Sequence, residues 1–299
     1  MHLQKTSFAY TAYLGALSAI PPLAIDMSLP AVQQTSAQLH ASEATTSLAL
    51  SLFLVGFAAA PIVLGPLSDR YGRRPVLLAG LVIFLLASVA CANAHSIDWL
   101  LLARFVEGMG AGAGAVLPMA IVRDVFEGAA ARSRLAFITL ILCVAPVIAP
   151  SLGTLVLLGS DWRAVYAMLA AAGGVLLIVT WLGLAETHNV AHPVPLHPVE
   201  VLKRYRFVLA NRATLGFSLM NGFSFACMFA FITASPIVFM AEFGLSQAAY
   251  SGMFFTAGLG TITGSIVAGR SRSGHRAIRA GVCDDSYVGR LTTNEMAGS

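Results

Sequence analysis

The sequence predicts an all-α membrane protein, and three observations predict it. Of the 299 residues, 57% are hydrophobic and only 11% charged, whereas a water-soluble domain devotes roughly a quarter of its residues to charge. Eight stretches, roughly 8–30, 45–66, 75–94, 98–121, 135–158, 164–184, 213–235 and 249–269, reach the ~20 apolar residues that a helix needs to cross the hydrocarbon core. The basic residues are also sorted. With the N-terminus inside, all 18 Lys and Arg residues except Arg104 and Arg163 lie in segments on the inner face, which is the bias of a cytoplasmic side. Lipid offers no partner to an open N–H or C=O, so each apolar run must be helical.

The expected protein is therefore multi-pass, with both termini cytoplasmic. Its opening run is longer than the apolar core of a signal peptide and is followed by further spans, so it reads as the first span. The net charge of +4 does not point to nucleic acid, because the basic residues are divided among short loops. Cys91, Cys143 and Cys227 lie in apolar runs and Cys283 in a polar stretch; none has zinc-site spacing, and they read as small packing residues. His188, His192 and His197 fall in a proline-broken linker and read as solvated rather than metal-binding. No Walker A sequence and no nucleophile–base arrangement is present. Neither an enzyme nor a bound cofactor is expected, and ATP is not the evident energy source.

The spans divide the chain. Residues 1–184 hold six of them, 185–212 form a polar and then basic cytoplasmic linker, and 213–269 hold two more. At Arg270 the composition changes abruptly, and 270–299 are polar. Translation out of frame is one reading of that tail, and a genuine short cytoplasmic tail is the other.

Each region carries its own chemistry. The first span ends Ala24-Ile25-Asp26-Met27, with Pro30 just beyond. Asp26 lies about 27 Å along the helix from Phe8, and Arg104 lies about 26 Å from Ile121 in the fourth span. The two charges should sit at similar depth, in the outer half of the membrane. The alternative is that Asp26 merely caps its helix at the outer interface. Between the second and third spans runs Gly65-Pro66-Leu67-Ser68-Asp69-Arg70-Tyr71-Gly72-Arg73-Arg74. Its glycines permit a tight turn and close approach, and Asp69 can accept charge-assisted hydrogen bonds.

In the fourth span, Arg104 needs a partner because a mid-membrane charge costs roughly 2.5–3.5 kcal/mol on insertion scales. Glu107, three residues on, shares its helix face; it either pairs with Arg104 or carries a proton itself. Gly108, Gly110, Gly112 and Gly114 give overlapping small-xxx-small spacing, suited to close helix packing. In the fifth span Pro146 and Pro150, with Gly153, predict a bent helix, serving either as a gate or for packing alone. The seventh span's Met220, Asn221, Phe223, Phe225, Met228 and Phe229 suit an adaptable apolar pocket or lipid contact equally.

These motifs resemble those of the major facilitator superfamily over about residues 8–269. The Gly65–Arg74 loop matches its signature loop at nearly every specified position, and Arg104 to Gly112 resembles its second motif, with glutamate where the family often has glutamine. Asp26 before Leu29-Pro30, Ala145 to Gly153, Asp161-Trp162-Arg163, Ala185-Glu186-Thr187, and Phe229, Phe231, Ser235 and Pro236 are similar to the Bcr/CflA group of drug:proton antiporters.

The resemblance implies a major facilitator fold: a complete six-helix N-terminal half plus two helices of the C-terminal half, apparently truncated after the eighth. It implies an exporter of the bacterial inner membrane, driven by the proton gradient, whose partners are a small drug of the bicyclomycin or chloramphenicol type, protons and the bilayer. Asp26, Arg104 and Glu107 would couple proton and substrate. Gly65, Asp69, Arg70, Gly72, Arg73, Arg74, Pro146, Pro150 and Gly153 would gate alternating access, with Gly65 facing a late helix of the second half. An acid in a water-poor cavity resists ionisation, and a nearby arginine opposes that resistance; shifting the balance would release the proton. A truncated remnant that transports nothing is the alternative function, since rocking needs two halves. A metabolite symporter is disfavoured by the fifth-span motif.

Overall fold

The computed structural model describes residues 7–187, 206 and 209–236, with scattered positions as far as 260. Helix α1 covers Phe8–Asp26. A 3-10 turn at Leu29–Ala31 then leads into the short α2, Val32–Gln38. Five long helices follow: α3 Glu43–Tyr71, α4 Arg73–Ala92, α5 Ile97–Val125, α6 Gly128–Gly159 and α7 Trp162–Gly183. Helix α8, Arg212–Pro236, occupies the seventh predicted run. Among the described residues, six helical segments are long and apolar enough to span a membrane, α1 through α2 counting as one.

The helices overrun the apolar stretches that predicted them. At 29 residues, α3 is about 43 Å long, against a hydrocarbon core of about 30 Å. Hydropathy reports the lipid thickness; hydrogen bonding carries the helix on until a cap stops it. Ser42 accepts from the Thr45 amide at 3.0 Å to start α3. Ser96 accepts from Trp99 at 3.3 Å to start α5, and Asp161 from Arg163 at 3.1 Å to start α7. Each supplies an acceptor to a first turn that has none of its own. Helix α6 runs through Pro146 and Pro150 as one uninterrupted segment. Interior prolines are tolerated where neighbouring groups satisfy the freed carbonyls.

Helix α5 sits at the centre, packed on α1, α3 and α4, while α4 also packs on α7 and α6 on α1. The glycines of α5 make this possible. Gly108 abuts the Phe53 carbonyl of α3, Gly110 the Phe84 backbone of α4, and Gly114 the Leu17 carbonyl of α1. A side chain at any of the three would strike main chain, so each neighbour approaches only because the residue is small. The exterior is apolar instead of charged: Leu86, Leu158 and Trp181 are well exposed, as suits a surface solvated by lipid.

The chain divides into two compact units, Met1–Phe255 and Thr256–Ser299; Thr256 and Gly260 are the described positions of the second. Most of the eighth predicted run, all of the 270–299 tail and the three linker histidines lie outside the described residues. So do the side chains of Asn221, Met228, Phe229 and Pro236.

Candidate functional site

The interior cluster is built on α5. Arg104 and Glu107 are one helical turn apart and form an ion pair at 2.7 Å, 1% and 0% exposed. Both carboxylate oxygens of Glu107 are occupied. Oε1 accepts from the Ser88 hydroxyl of α4 at 2.7 Å; Oε2 accepts from Arg104 Nη1 at 2.7 Å and from the Cys91 thiol at 3.7 Å. Arg104 in turn reaches α1. Its Nη1 donates to the Ala24 carbonyl at 3.2 Å, and its Nη2 lies 3.5 Å from the Ser28 hydroxyl. Nε finds no acceptor among the described residues, but the guanidinium lies over the Phe53 ring at 4.5 Å and near that of Tyr166 at 5.5 Å. Aromatic faces attract a desolvated cation and cover it against further water.

Asp26 is at the same level and in a different situation. It ends the regular part of α1, is 3% exposed, and receives no hydrogen bond from any described residue. Arg104 touches α1 two residues before and two residues after it. On a helix, two residues is a rotation of about 200°, so Asp26 projects from the side of α1 away from α5. That side is within electrostatic reach of Tyr250, whose hydroxyl is 2.8 Å from that of Ser235 on α8. Gly153 abuts the Met27 carbonyl beside this point, which brings the proline segment of α6 against the end of α1.

The loop between α3 and α4 holds a second charged cluster. Arg73 binds Asp69 at 2.7 Å, Asp124 of α5 at 2.8 Å and the Ser68 hydroxyl at 2.6 Å. Gly72 adopts φ +97°, in the half of conformational space that side chains resist. That turn exposes the first amides of α4, and Glu186 accepts from both Arg73 and Arg74, at 2.9 and 3.1 Å. Arg74 also donates to the Trp181 carbonyl at 2.7 Å. Arg70 stacks near Tyr71, and a Cβ at Gly65 would meet no described atom within 4 Å. At the opposite end of the bundle, Arg163 and Trp162 both donate to Gln38, at 2.8 and 2.9 Å, and Arg163 also bonds the Ala94 carbonyl at 3.0 Å.

The structure thus brings Arg104 and Glu107 into direct contact and leaves Asp26 at their level without a bond to either. Sequence reasoning missed the partners that come from other helices: Ser88, Cys91 and Tyr166 around the pair, and Asp124 around Arg73. Ser88 and Cys91 carry a faint signal, being small polar side chains one turn apart in an otherwise aliphatic run. Cys91 does more than pack.

The family model described as Major Facilitator Superfamily matches residues 7–283. The chain is 35% identical over 268 residues to the MFS-type transporter YdgK of Bacillus subtilis, covering 89% of this chain and 67% of that protein. It is 34% identical over 236 residues to the multidrug resistance protein MdtL of Klebsiella pneumoniae, covering 79% and 59%. To the bicyclomycin resistance protein homolog of Haemophilus influenzae it is 29% identical, covering 82% and 62%. The chain thus spans about two thirds or less of the length of these relatives. Among solved structures, a bacterial homolog of the human lysosomal transporter Spinster, inward-facing and unoccupied, aligns with a TM-score of 0.65 at 21% identity, covering 88% of this chain and 64% of that one. At that identity the likeness concerns the fold.

Proposed function

This chain belongs to the Major Facilitator Superfamily, and we propose that it works as a proton-coupled exporter of small drugs in the bacterial inner membrane, by alternating access. The observation that carries this reading is Asp26: a carboxyl group 3% exposed, at membrane depth, with no hydrogen-bond donor among the described residues. A buried ionisable group without a fixed partner is expensive, and in a membrane segment it marks a proton or ion path. The resistance proteins among the relatives support drugs as the cargo, and the distribution of Lys and Arg supports cytoplasmic termini.

In this scheme a proton and a drug compete for Asp26. With the proton bound, the group is neutral and the end of α1 sits in a water-poor environment at little cost. When the bundle opens to water, ionisation becomes favourable and the proton leaves. Arg104, bound to the main chain of α1, keeps that end of the helix in register with α5. The Asp69–Arg73–Asp124 cluster, with Gly65, Arg70, Gly72 and Arg74, closes the cytoplasmic side when the second half docks there. Pro146, Pro150 and Gly153 let α6 follow α1 as it moves. Proton coupling needs no bound cofactor.

The test is transport by the chain reconstituted into lipid vesicles. An imposed proton gradient is expected to drive accumulation of chloramphenicol, and Asp26→Asn is expected to reduce it at least about tenfold. Accumulation unchanged by Asp26→Asn removes this acid from the mechanism. No gradient-driven accumulation by the unaltered chain removes the exporter reading.

A further inference from the structure

The eight apolar runs contain very little charge: Asp26, Asp98, Arg104 and Glu107. Asp98 lies exposed in the first turn of α5, at the edge of its span. The remaining three are buried, and their distribution is uneven. Glu107 and Arg104 cancel each other at 2.7 Å. Ser88 at 2.7 Å and Cys91 at 3.7 Å also donate to the Glu107 carboxylate. Arg104 is tied to Ala24 and Ser28 and faces two aromatic rings. Only Nε of the guanidinium lacks an acceptor among the described residues, and it lies beneath those rings, so little of Arg104 is open to an incoming anion. Among the described residues, Asp26 has no such compensation.

We propose that Glu107 is a specificity-determining residue: by neutralising Arg104 it leaves Asp26, among the described residues, as the interior carboxylate without a cationic partner, so the site takes lipophilic cations in preference to anions. This rests on the exporter reading for the identity of the site and adds the charge class of its substrate. The argument turns on one atom. An amide at position 107 would keep the hydrogen bond to Arg104 but surrender the negative charge. Arg104 and Asp26 would then sum to zero, and the preference would vanish. A unit charge buried within a helix diameter of a bound ion changes affinity by roughly tenfold or more at protein-like dielectric. Ser88 has a positioning role. Its hydroxyl orients Oε1, which leaves Oε2 directed at Arg104.

Tetraphenylphosphonium and tetraphenylborate are matched in size and shape and opposite in charge, so their affinity ratio isolates the charge term. Binding of each to the purified full chain in detergent is measured by equilibrium dialysis, after subtraction of uptake by empty micelles. The unaltered chain is expected to favour the cation by about tenfold or more. Glu107→Gln and Asp26→Asn should each bring the ratio close to one, and the double variant, with Arg104 alone charged, should favour the borate. Equal binding of both ions by the unaltered chain, binding of neither, or a ratio that Glu107→Gln leaves in place would overturn the inference. If Glu107→Gln fails to fold, judged by size-exclusion chromatography, Asp26→Asn decides: a cation preference retained without that carboxylate sinks the proposal. Vesicle transport is scored separately. A chain that selects the cation without moving it keeps the charge assignment and loses the exporter reading; one that exports drugs without an ionic preference does the reverse.

Discussion

Arg73 and Arg104 hold carboxylates at nearly the same distance, 2.7–2.8 Å, yet they stand in opposite environments. Arg73 has two acidic partners, with side chains 44% and 20% exposed, at the end of the bundle. Arg104 has one, fully buried among α1, α4, α5 and α7. Near water, a guanidinium that loses one partner turns to another or to solvent. At membrane depth neither is available, and every hydrogen-bonding group around the pair has to come from the protein: a serine, a thiol, a main-chain carbonyl, two aromatic faces. Similar geometry therefore carries different weight. The loop cluster can exchange its partners with each other and with water, while the interior pair has no such exchange open to it.

Breaking the interior pair from one side should have the largest effect. Glu107→Ala strands Arg104 in a low-dielectric site and is expected to cost about 3–5 kcal/mol, read from denaturant unfolding of the purified chain in mixed micelles. A cost below about 1 kcal/mol would erase the distinction between the two arginines. The turn that shapes the loop cluster comes next. Gly72→Ala forces a Cβ into φ +97° and against the Glu186 carboxylate, and should cost about 1–2 kcal/mol from backbone strain, with the start of α4 losing its acceptor. If the alanine variant unfolds at the same denaturant concentration as the parent, Glu186 is not held there. The smallest effect belongs to Asp69→Asn. Asp69 is 44% exposed and Asp124 remains on Arg73, so the loss should stay under about 1 kcal/mol and shrink further in high salt. A stability loss equal to that of Glu107→Ala would show that exposure does not set the value of these pairs.

The same contrast explains what was legible in the chain. The six spans of residues 8–184 follow from apolar length alone, because a bilayer imposes one thickness on every helix. Glu107 as the partner of Arg104 was open to sequence reading as one of two roles, since residues three apart share a helix face. The loop between α3 and α4 was readable as a motif. The bonds around it were not: Asp124 and Glu186 reach Arg73 and its neighbours from far along the chain, and no spacing rule connects them. The side of α1 on which Asp26 projects was also hidden. Depth can be counted in residues from a span end, but facing depends on how α1 rolls against α5 and α6.

The sequence by itself determined an all-helical membrane protein, the positions of the six spans within residues 8–184, the shared level of its few interior charges and the family motifs that carry them. Tertiary structure alone decided between the roles left open and what surrounds these charges: Glu107 accepts from Arg104, Ser88 and Cys91, and Asp26, among the described residues, bonds none of them. The physical reason is that hydropathy and helical rise are properties of a segment in a uniform solvent. Pairing at membrane depth depends instead on close approach between helices, which here rests on glycines such as Gly108, Gly110 and Gly114 meeting the main chain of three different neighbours.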